Sequence, residues 1–236
     1  MVSGDLLSRS LWRMERASMP TPEELDAGQA VYTPIVLRTY DWVVLGLSNH
    51  LLWRCPTADL RRLYDRNVSD RHLDIGVGTG YFLDKATWPV PIPSITLLDL
   101  NANCLHAASK RISRYAPQTV LANILAPLPR LEPFRSAGLC YVLHCIPGAI
   151  PEKVVAFDRL RPVLAPGARV FGATIVQGKV PRSRPAQALM SVYNRKGIFS
   201  NAADTVEDLD VELRKRFTDV KLRIKGTVVM FEAVAE

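Results

Sequence analysis

The residues with the clearest chemical potential lie in the segment 73–80, which reads LDIGVGTG. Glycines let a backbone turn sharply after a strand and allow a ligand to approach the main chain closely. A second acid, Asp99, follows the next apolar run, 23 positions after Gly76. A carboxylate at that place can accept two hydrogen bonds from a ribose diol. The pattern therefore predicts a nucleoside-binding site.

The glycine spacing separates this site from a dinucleotide site. Dinucleotide folds use G-x-G-x-x-G, whereas Gly76, Gly78 and Gly80 give G-x-G-x-G, followed by Tyr81. Asp74 would also place negative charge beside a pyrophosphate, but it suits a ligand that carries an ammonium group. A nicotinamide-dependent dehydrogenase is therefore the weaker alternative, and glycines that serve only a tight turn are a further alternative.

At these residues the sequence resembles the class I S-adenosylmethionine (SAM)-dependent methyltransferases. Their first motif, an acid followed by G-x-G-x-G, is matched by Asp74 and the three glycines, and their ribose-binding acid by Asp99. The resemblance covers roughly residues 71–236. It implies that Asp74 faces the methionine amino group, that the glycines pass under the cofactor, and that S-adenosylhomocysteine (SAH) is the product.

The resemblance implies further cofactor contacts. Asn123, after the third strand, matches a polar position that reads the adenine amino group, although a simple loop asparagine is an equal alternative. Ile124 and Leu125 are expected to sandwich the adenine ring. Three more residues complete the predicted cofactor contacts: Tyr81, Leu100 and Leu143.

The end of the fourth strand borders the ligand crevice of an open α/β sheet. The run FRSAGLCYVLHCIPG (134–148) resembles a subset of small-molecule methyltransferases of microbial metabolism, with Arg135 replacing their usual acid at the far end. His144 is the candidate general base or orienting group, and a structural histidine is the alternative. Some RNA methyltransferases use a nucleophilic cysteine in this region. A nucleophilic Cys145 is disfavoured because those enzymes carry Pro before Cys, whereas here Cys145 precedes Pro147. We interpret Cys145 as a buried small side chain.

Two aromatic-rich regions are predicted to cover the site. By resemblance, the N-terminal helices over 23–70 and an insertion over about 177–204 fall where this fold builds its lid. The substrate-lid candidates are Tyr32, Tyr40, Tyr193 and Asn194. Such covers suit a flat or apolar acceptor and exclude water. The alternative for any one of them is ordinary packing onto the sheet.

Alternating apolar runs and helical patterns must position these residues. The fold predicted is α/β: a Rossmann-like, seven-stranded, mostly parallel sheet with a C-terminal antiparallel hairpin and helices on both faces. The strand candidates read HLDIGV, SITLLDL, TVLANIL, AGLCYVLHCI, ARVFGATIV, VKLRI and TVVMFEAVA. Helices are predicted over 81–87, 101–115, 153–164, 186–193 and 206–217, with several more before residue 68. Thr205 is the expected cap of the last helix, and Pro166-Gly167 the expected stop of the helix before the fifth strand.

Composition limits the remaining possibilities. The 236 residues are 48% hydrophobic and 22% charged, which suits one globular α/β domain. The net charge of +7 invites a nucleic-acid partner, but the basic residues are scattered, which favours a solvated surface. Four cysteines without metal-like spacing indicate reduced thiols, no metal site and a cytoplasmic protein. No run of 18 apolar residues predicts a membrane span, and residues 1–22 are interpreted as a mobile leader.

The sequence thus predicts an enzyme that transfers a methyl group from SAM to O, N or C of a small, aromatic or apolar metabolite, with a homodimer as a possible assembly. The alternatives are an RNA or other nucleic-acid methyltransferase, supported only by the positive charge, and a non-catalytic SAM-binding protein.

Overall fold

The computed structural model describes residues 48–236. Its centre is a seven-stranded sheet with the strand order β3-β2-β1-β4-β5-β7-β6. The strands are β1 (Arg71–Ile75), β2 (Ser94–Asp99), β3 (Gln118–Leu121), β4 (Phe134–Cys140), β5 (Leu164–Ile175), β6 (Thr218–Lys225) and β7 (Val228–Val234).

The first five strands run parallel, and β7 pairs antiparallel with both β5 and β6. The order reverses between β1 and β4: β1 leads outward to β2 and β3, whereas β4 leads to β5. In an open α/β sheet, the crevice outside the carboxyl ends of the strands at such a switch point is where ligands bind. The predicted fold class, including the C-terminal hairpin, is confirmed.

Helices cover both faces of the sheet, as a mostly parallel sheet requires because its strands are apolar on both sides. One face packs on α1 (Thr57–Asn67), α2 (Tyr81–Lys85), α3 (Ala102–Arg111) and α6 (Arg184–Arg195). The other packs on α4 (Ile150–Lys153), α5 (Val155–Leu160) and α7 (Val206–Arg214). Short 3₁₀ turns follow α3 at Ser113–Tyr115 and α5 at Arg161–Val163.

The fourth strand is shorter than predicted. The apolar run continues to Ile146, but β4 ends at Cys140 and a 3₁₀ turn occupies Leu143–Cys145. The chain leaves the sheet because Tyr141 has a left-handed backbone (φ 62°) and Val142 a helical one. A continuous apolar run does not distinguish a strand from a buried turn of helix, which is why the sequence pattern failed here.

The third strand also ends early, at Leu121 rather than Leu125. Asn123 explains this end, because its side-chain Oδ1 accepts a hydrogen bond from the main-chain N–H of Leu125 (2.9 Å). A short polar side chain that bonds the backbone two residues on builds a turn and competes with a strand.

The helix predicted over 153–164 is displaced. It begins at Ile150, breaks at Val154 and ends at Leu160. Pro166-Gly167 is not its stop signal: the pair lies inside β5, where the register with β4 shifts. The predicted cap of α7 is confirmed, since the Thr205 hydroxyl accepts the Asp208 N–H at 3.0 Å.

Part of the predicted N-terminal lid lies within the described residues. Helix α1 packs on β5 and β7 and buries Leu60, Leu63 and Tyr64 against the sheet. Tyr32, Tyr40 and the leader 1–22 lie outside the described residues. Over residues 48–236, no helix combines the length and apolar character needed to cross a membrane.

Candidate active site

The glycine loop after β1 takes the conformation that its composition predicts. Gly76, Gly78 and Gly80 all have positive φ, at 67°, 52° and 71°. A Cβ added at Gly76 would overlap the Val142 side chain, whereas one added at Gly78 would meet nothing within 4 Å. Gly78 therefore exposes bare backbone to an open cavity, as a cradle for a ligand requires.

A first cavity lies at the carboxyl edge between the glycine loop and the ends of β2 and β4. We name it the nucleoside cavity. Its lining includes the predicted cofactor residues Gly76, Gly78, Asp99, Leu100, Asn123 and Ile124, together with the cysteines Cys104, Cys140 and Cys145. Sequence positions spread over almost 70 residues are thus brought to one edge of the sheet.

Asp99 is held at the floor of this cavity by backbone donors. The Asn101 N–H donates to Asp99 Oδ1 at 2.8 Å, and the N–H groups of Val77 and Gly78 also bond this carboxylate. Burial raises the pKa of Asp99 to about 6, against the lowering effect of these three donors; the nearby charge of Asp74 raises it further. A desolvated acceptor of this kind fits the hydroxyl groups of a ribose.

Asn123 lines the same cavity, but its amide oxygen already accepts the Leu125 N–H. A carbonyl oxygen has two lone pairs, so one remains for a ligand donor. The residue therefore shapes its loop and also presents a polar group to the cavity. Both sequence interpretations of Asn123 are compatible with this geometry.

A second cavity adjoins the first and shares Gly76, Gly78, Cys140 and Tyr141 with it. We name it the methionine cavity. Asp74, Gly80, Tyr81 and Tyr64 also line it. Asp74 is 3% exposed, and its Oδ1 accepts a hydrogen bond from the Tyr64 hydroxyl at 2.9 Å. Two acids thus stand one in each of two adjoining cavities, as a nucleoside with a cationic amino-acid end requires.

Sequence reasoning missed Tyr141, which belongs to both cavities. Its hydroxyl donates to Asn49 Oδ1 at 2.9 Å, so it also ties the site to the segment before α1. The left-handed backbone of a bulky residue is strained, and such strain concentrates at functional sites. The available signal was its place directly after a buried strand at the switch point.

His144 is positioned differently from the prediction. It is 3% exposed and is not among the residues that line these two cavities. The Ile175 N–H donates to His144 Nδ1 at 3.3 Å, so a neutral ring carries its proton on Nε2. Burial, aided by the charge of Lys153, lowers the pKa of His144 to about 3. A general base needs a pKa near the working pH, so this environment favours the orienting role over the base.

Leu143 is fully buried and also lines neither cavity, because the 3₁₀ turn directs it into the core under β1 and α5. Cys145 is partly exposed in the nucleoside cavity rather than buried, and its Sγ lies 4.0 Å from the Tyr141 carbonyl oxygen. Arg135 forms an exposed ion pair with Asp70 at 2.9 Å, far from the site.

Polar contacts anchor the insertion to the carboxyl end of β5 and to helix α4. The Asn194 amide donates to Asn201 Oδ1 at 2.9 Å, and the Asn201 amide donates to the Ile175 carbonyl at 2.9 Å. Buried Lys153 pairs with buried Asp204, which lies at the end of the insertion. Tyr193 packs on Phe199, with ring centroids 5.0 Å apart. Tyr193 and Asn194 therefore stabilise the insertion and line neither cavity.

Comparisons with known proteins agree with this architecture. The chain is 42% identical over 207 residues to demethylluteothin O-methyltransferase of Streptomyces thioluteus. This alignment covers 87% of this chain and 90% of the relative. It is 36% identical to a physcion biosynthesis cluster O-methyltransferase of Aspergillus chevalieri, over 92% and 98% of the two chains.

Among solved structures, the SAH complex of the N-methyltransferase NodS of Bradyrhizobium japonicum superposes with a TM-score of 0.59 at 16% identity, covering 89% and 98% of the two chains. At that identity the likeness concerns the fold alone. No protein-family model matches the chain.

Proposed function

We infer that this chain, which belongs to the class I SAM-dependent methyltransferases, transfers a methyl group to an oxygen atom of a small secondary metabolite. It is an enzyme, and its cofactor is SAM. The choice of oxygen is supported by the two relatives named above, both O-methyltransferases. The observation that carries the site assignment is the placement of Asp99 and Asp74 in two adjoining cavities at the switch point.

Each cavity has a separate task in this proposal. Asp99 accepts hydrogen bonds from the ribose, and Asn123 and Ile124 contact the adenine. Asp74 faces the methionine amino group, while Gly76 and Gly78 let the backbone pass under the cofactor. Gly80 and Tyr81 border the methionine end, and Leu100 borders the ribose.

When bound, SAM would supply a methyl group on a sulfonium sulfur: the C–O bond to the acceptor forms in line as the C–S bond breaks, SAH leaves as the thioether, and the hydroxyl proton is released to solvent. The task of the protein is then alignment and exclusion of water. Tyr141 stands where the two cavities meet, and the neighbouring wall of Val142, Ile146 and Pro147 is apolar. We therefore propose a flat or apolar acceptor that lies against this wall.

His144 is proposed as an orienting group. Its main-chain carbonyl accepts the Ser200 N–H at 2.8 Å, and its ring packs on Phe199 with centroids 4.5 Å apart. Both partners lie in the insertion, so His144 connects the turn after β4 to the insertion. We propose that the insertion and residues 23–70 together form the substrate cover.

A turnover assay tests the function. The full chain is incubated with SAM and a panel of phenols, enols, amines and short RNA, and SAH formation is followed while the methylated atom is located by mass spectrometry and NMR. We expect turnover with a hydroxyl compound. Methylation on nitrogen or RNA would overturn the acceptor assignment, and SAH binding without turnover on any acceptor would favour a binding protein.

Two further proposals concern the setting of the protein. All four cysteines are free thiols, which supports a reducing compartment such as the cytoplasm. A homodimer stays a prediction, and light scattering of the purified chain measures its mass directly.

A further inference from the structure

The carboxylate of Asp74 is held by two side chains that the glycine motif does not contain. The Tyr64 hydroxyl, from helix α1, donates to Asp74 Oδ1 at 2.9 Å. His72 Nε2 lies 3.4 Å from the same oxygen. An ionised carboxylate only accepts hydrogen bonds, so the proton of His72 on this side must be on Nε2.

The orientation of His72 is itself fixed. Its Nδ1 lies 2.8 Å from the Ser136 hydroxyl on β4, and the Ser69 N–H donates to that hydroxyl at 2.9 Å. His72 is fully buried. A chain of hydrogen bonds therefore runs from the start of β1 to Asp74.

Aromatic packing holds both donors in place. The Phe171 ring stacks on His72 (5.7 Å, 22°) and meets Tyr64 edge-on (5.0 Å, 85°). Phe82 also stacks on Tyr64, with ring centroids 5.2 Å apart. Rings on β5 and α2 thus pack against the two donors.

Gly138 on β4 leaves the room that this arrangement needs. A Cβ there would stand 2.8 Å from Asp74 Oδ1 and 3.2 Å from Phe171 Cζ. The glycine serves space rather than turn geometry, since it lies within a regular strand. Its position is a separate sign that the Asp74 carboxylate has a fixed location.

We propose that Tyr64 and His72 are positioning residues for cofactor binding: they fix Oδ1 of Asp74 so that the carboxylate meets the methionine amino group in one orientation. Among the described residues, these two are the side chains that bond this carboxylate, and both bond the same oxygen. The inference rests on the proposed role of Asp74. It adds to the motif two residues from outside the glycine loop.

Two ligands separate positioning from simple packing. SAH carries the amino-acid end, whereas 5′-methylthioadenosine keeps the nucleoside and thioether without it. We expect Tyr64→Phe to weaken SAH binding about tenfold, since a hydrogen bond to a charged group is lost, and to leave 5′-methylthioadenosine binding unchanged. Calorimetry on the full chain measures both. Tyr115→Phe, which keeps the ring and removes a hydroxyl from a residue that lines neither of the two cavities, serves as the matched control and should change neither affinity.

His72 provides the second variant. His72→Gln keeps a donor toward Asp74 and should retain most of the preference for SAH, whereas His72→Leu should lose about threefold, the smaller effect that its longer contact implies. If Tyr64→Phe lowers the affinities for SAH and 5′-methylthioadenosine equally, or lowers neither, the positioning role is wrong. This holds even if the melting temperature of the variant falls.

Asp74→Ala separates the proposed role of Asp74 from the positioning role of Tyr64 and His72. A loss of SAH affinity in Asp74→Ala without any loss in Tyr64→Phe would overturn the positioning role alone. Unchanged SAH affinity in Asp74→Ala would overturn the proposed role of Asp74 itself.

Discussion

The two acids of the site are held in opposite ways. Asp99 is bonded by main-chain N–H groups of Val77 and Gly78 in the glycine loop and of Asn101 directly after β2. Asp74 is bonded by the side chains of Tyr64 and His72, one of them from a separate helix. The cavity proposed for the nucleoside is thus built by backbone geometry, and the cavity proposed for the methionine end by side-chain packing.

This difference has a consequence for mutation. Backbone donors survive side-chain substitution, so the position of Asp99 depends mainly on the glycines that shape the loop. Side-chain donors are lost one residue at a time, so the position of Asp74 depends on several elements of the fold. We expect the two cavities to respond differently to substitution, pH and ligand choice.

Asp99→Ala should have the largest effect. It removes the acceptor of two ribose hydrogen bonds, so SAH affinity should fall by roughly 100-fold or more. The loss should be equal for 5′-methylthioadenosine, because that ligand keeps the ribose, and calorimetry measures both. An Asp99→Ala variant that binds SAH normally would refute the ribose assignment.

Low pH should weaken cofactor binding by protonating Asp99. The pKa of Asp99 is about 6, raised by burial, so the carboxylate becomes protonated below that pH. Protonation removes acceptor capacity, and SAH affinity should then fall by up to about tenfold per pH unit below 6.

Asp99→Asn is the control for the acid effect. Asp204 also has a pKa raised by burial to about 6, so the pH profile alone does not identify the group. The Asn variant should bind weakly with no such decline. A decline of equal slope in Asp99→Asn would assign it to another group.

The stability of the ligand-free protein should move in the opposite direction. Because its folded pKa is raised, Asp99 favours the folded state at low pH, and that contribution is lost as the pH rises from about 4 through about 6. At pH 8, Asp99→Asn removes a buried charge, and its melting temperature should rise by about 2–4 °C. The gain should shrink toward pH 4. A variant less stable than wild type at pH 8 would contradict this reasoning.

The sequence predicted the part of the site that depends on local geometry. The alternation of strands and helices, the glycine loop and the placement of Asp99 all follow from periodicity and spacing over short distances. These features predicted the fold class, which is confirmed, and the structure brings Asp99 and the glycine loop to one cavity.

What was missed depends on contacts between distant residues. Tyr64 lies in a helix that reads as ordinary amphipathic surface, and Tyr141 leaves the strand through a backbone conformation that its type disfavours. His144 was predicted at the end of the fourth strand, whereas it lies in the 3₁₀ turn after β4 and is not among the residues that line the two cavities. Periodicity carries no information on such tertiary choices.

His144→Gln should have the smallest effect on cofactor binding, and it tests whether His144 ionises during turnover. Since burial lowers the pKa of His144 to about 3, the ring stays neutral throughout a turnover profile from pH 5 to 9. The variant should therefore bind SAH as wild type does and keep the shape of the pH profile. Its turnover should fall only through looser packing of the insertion, at most about tenfold. Loss of an ionisation between pH 5 and 9 in this variant would restore His144 as the base.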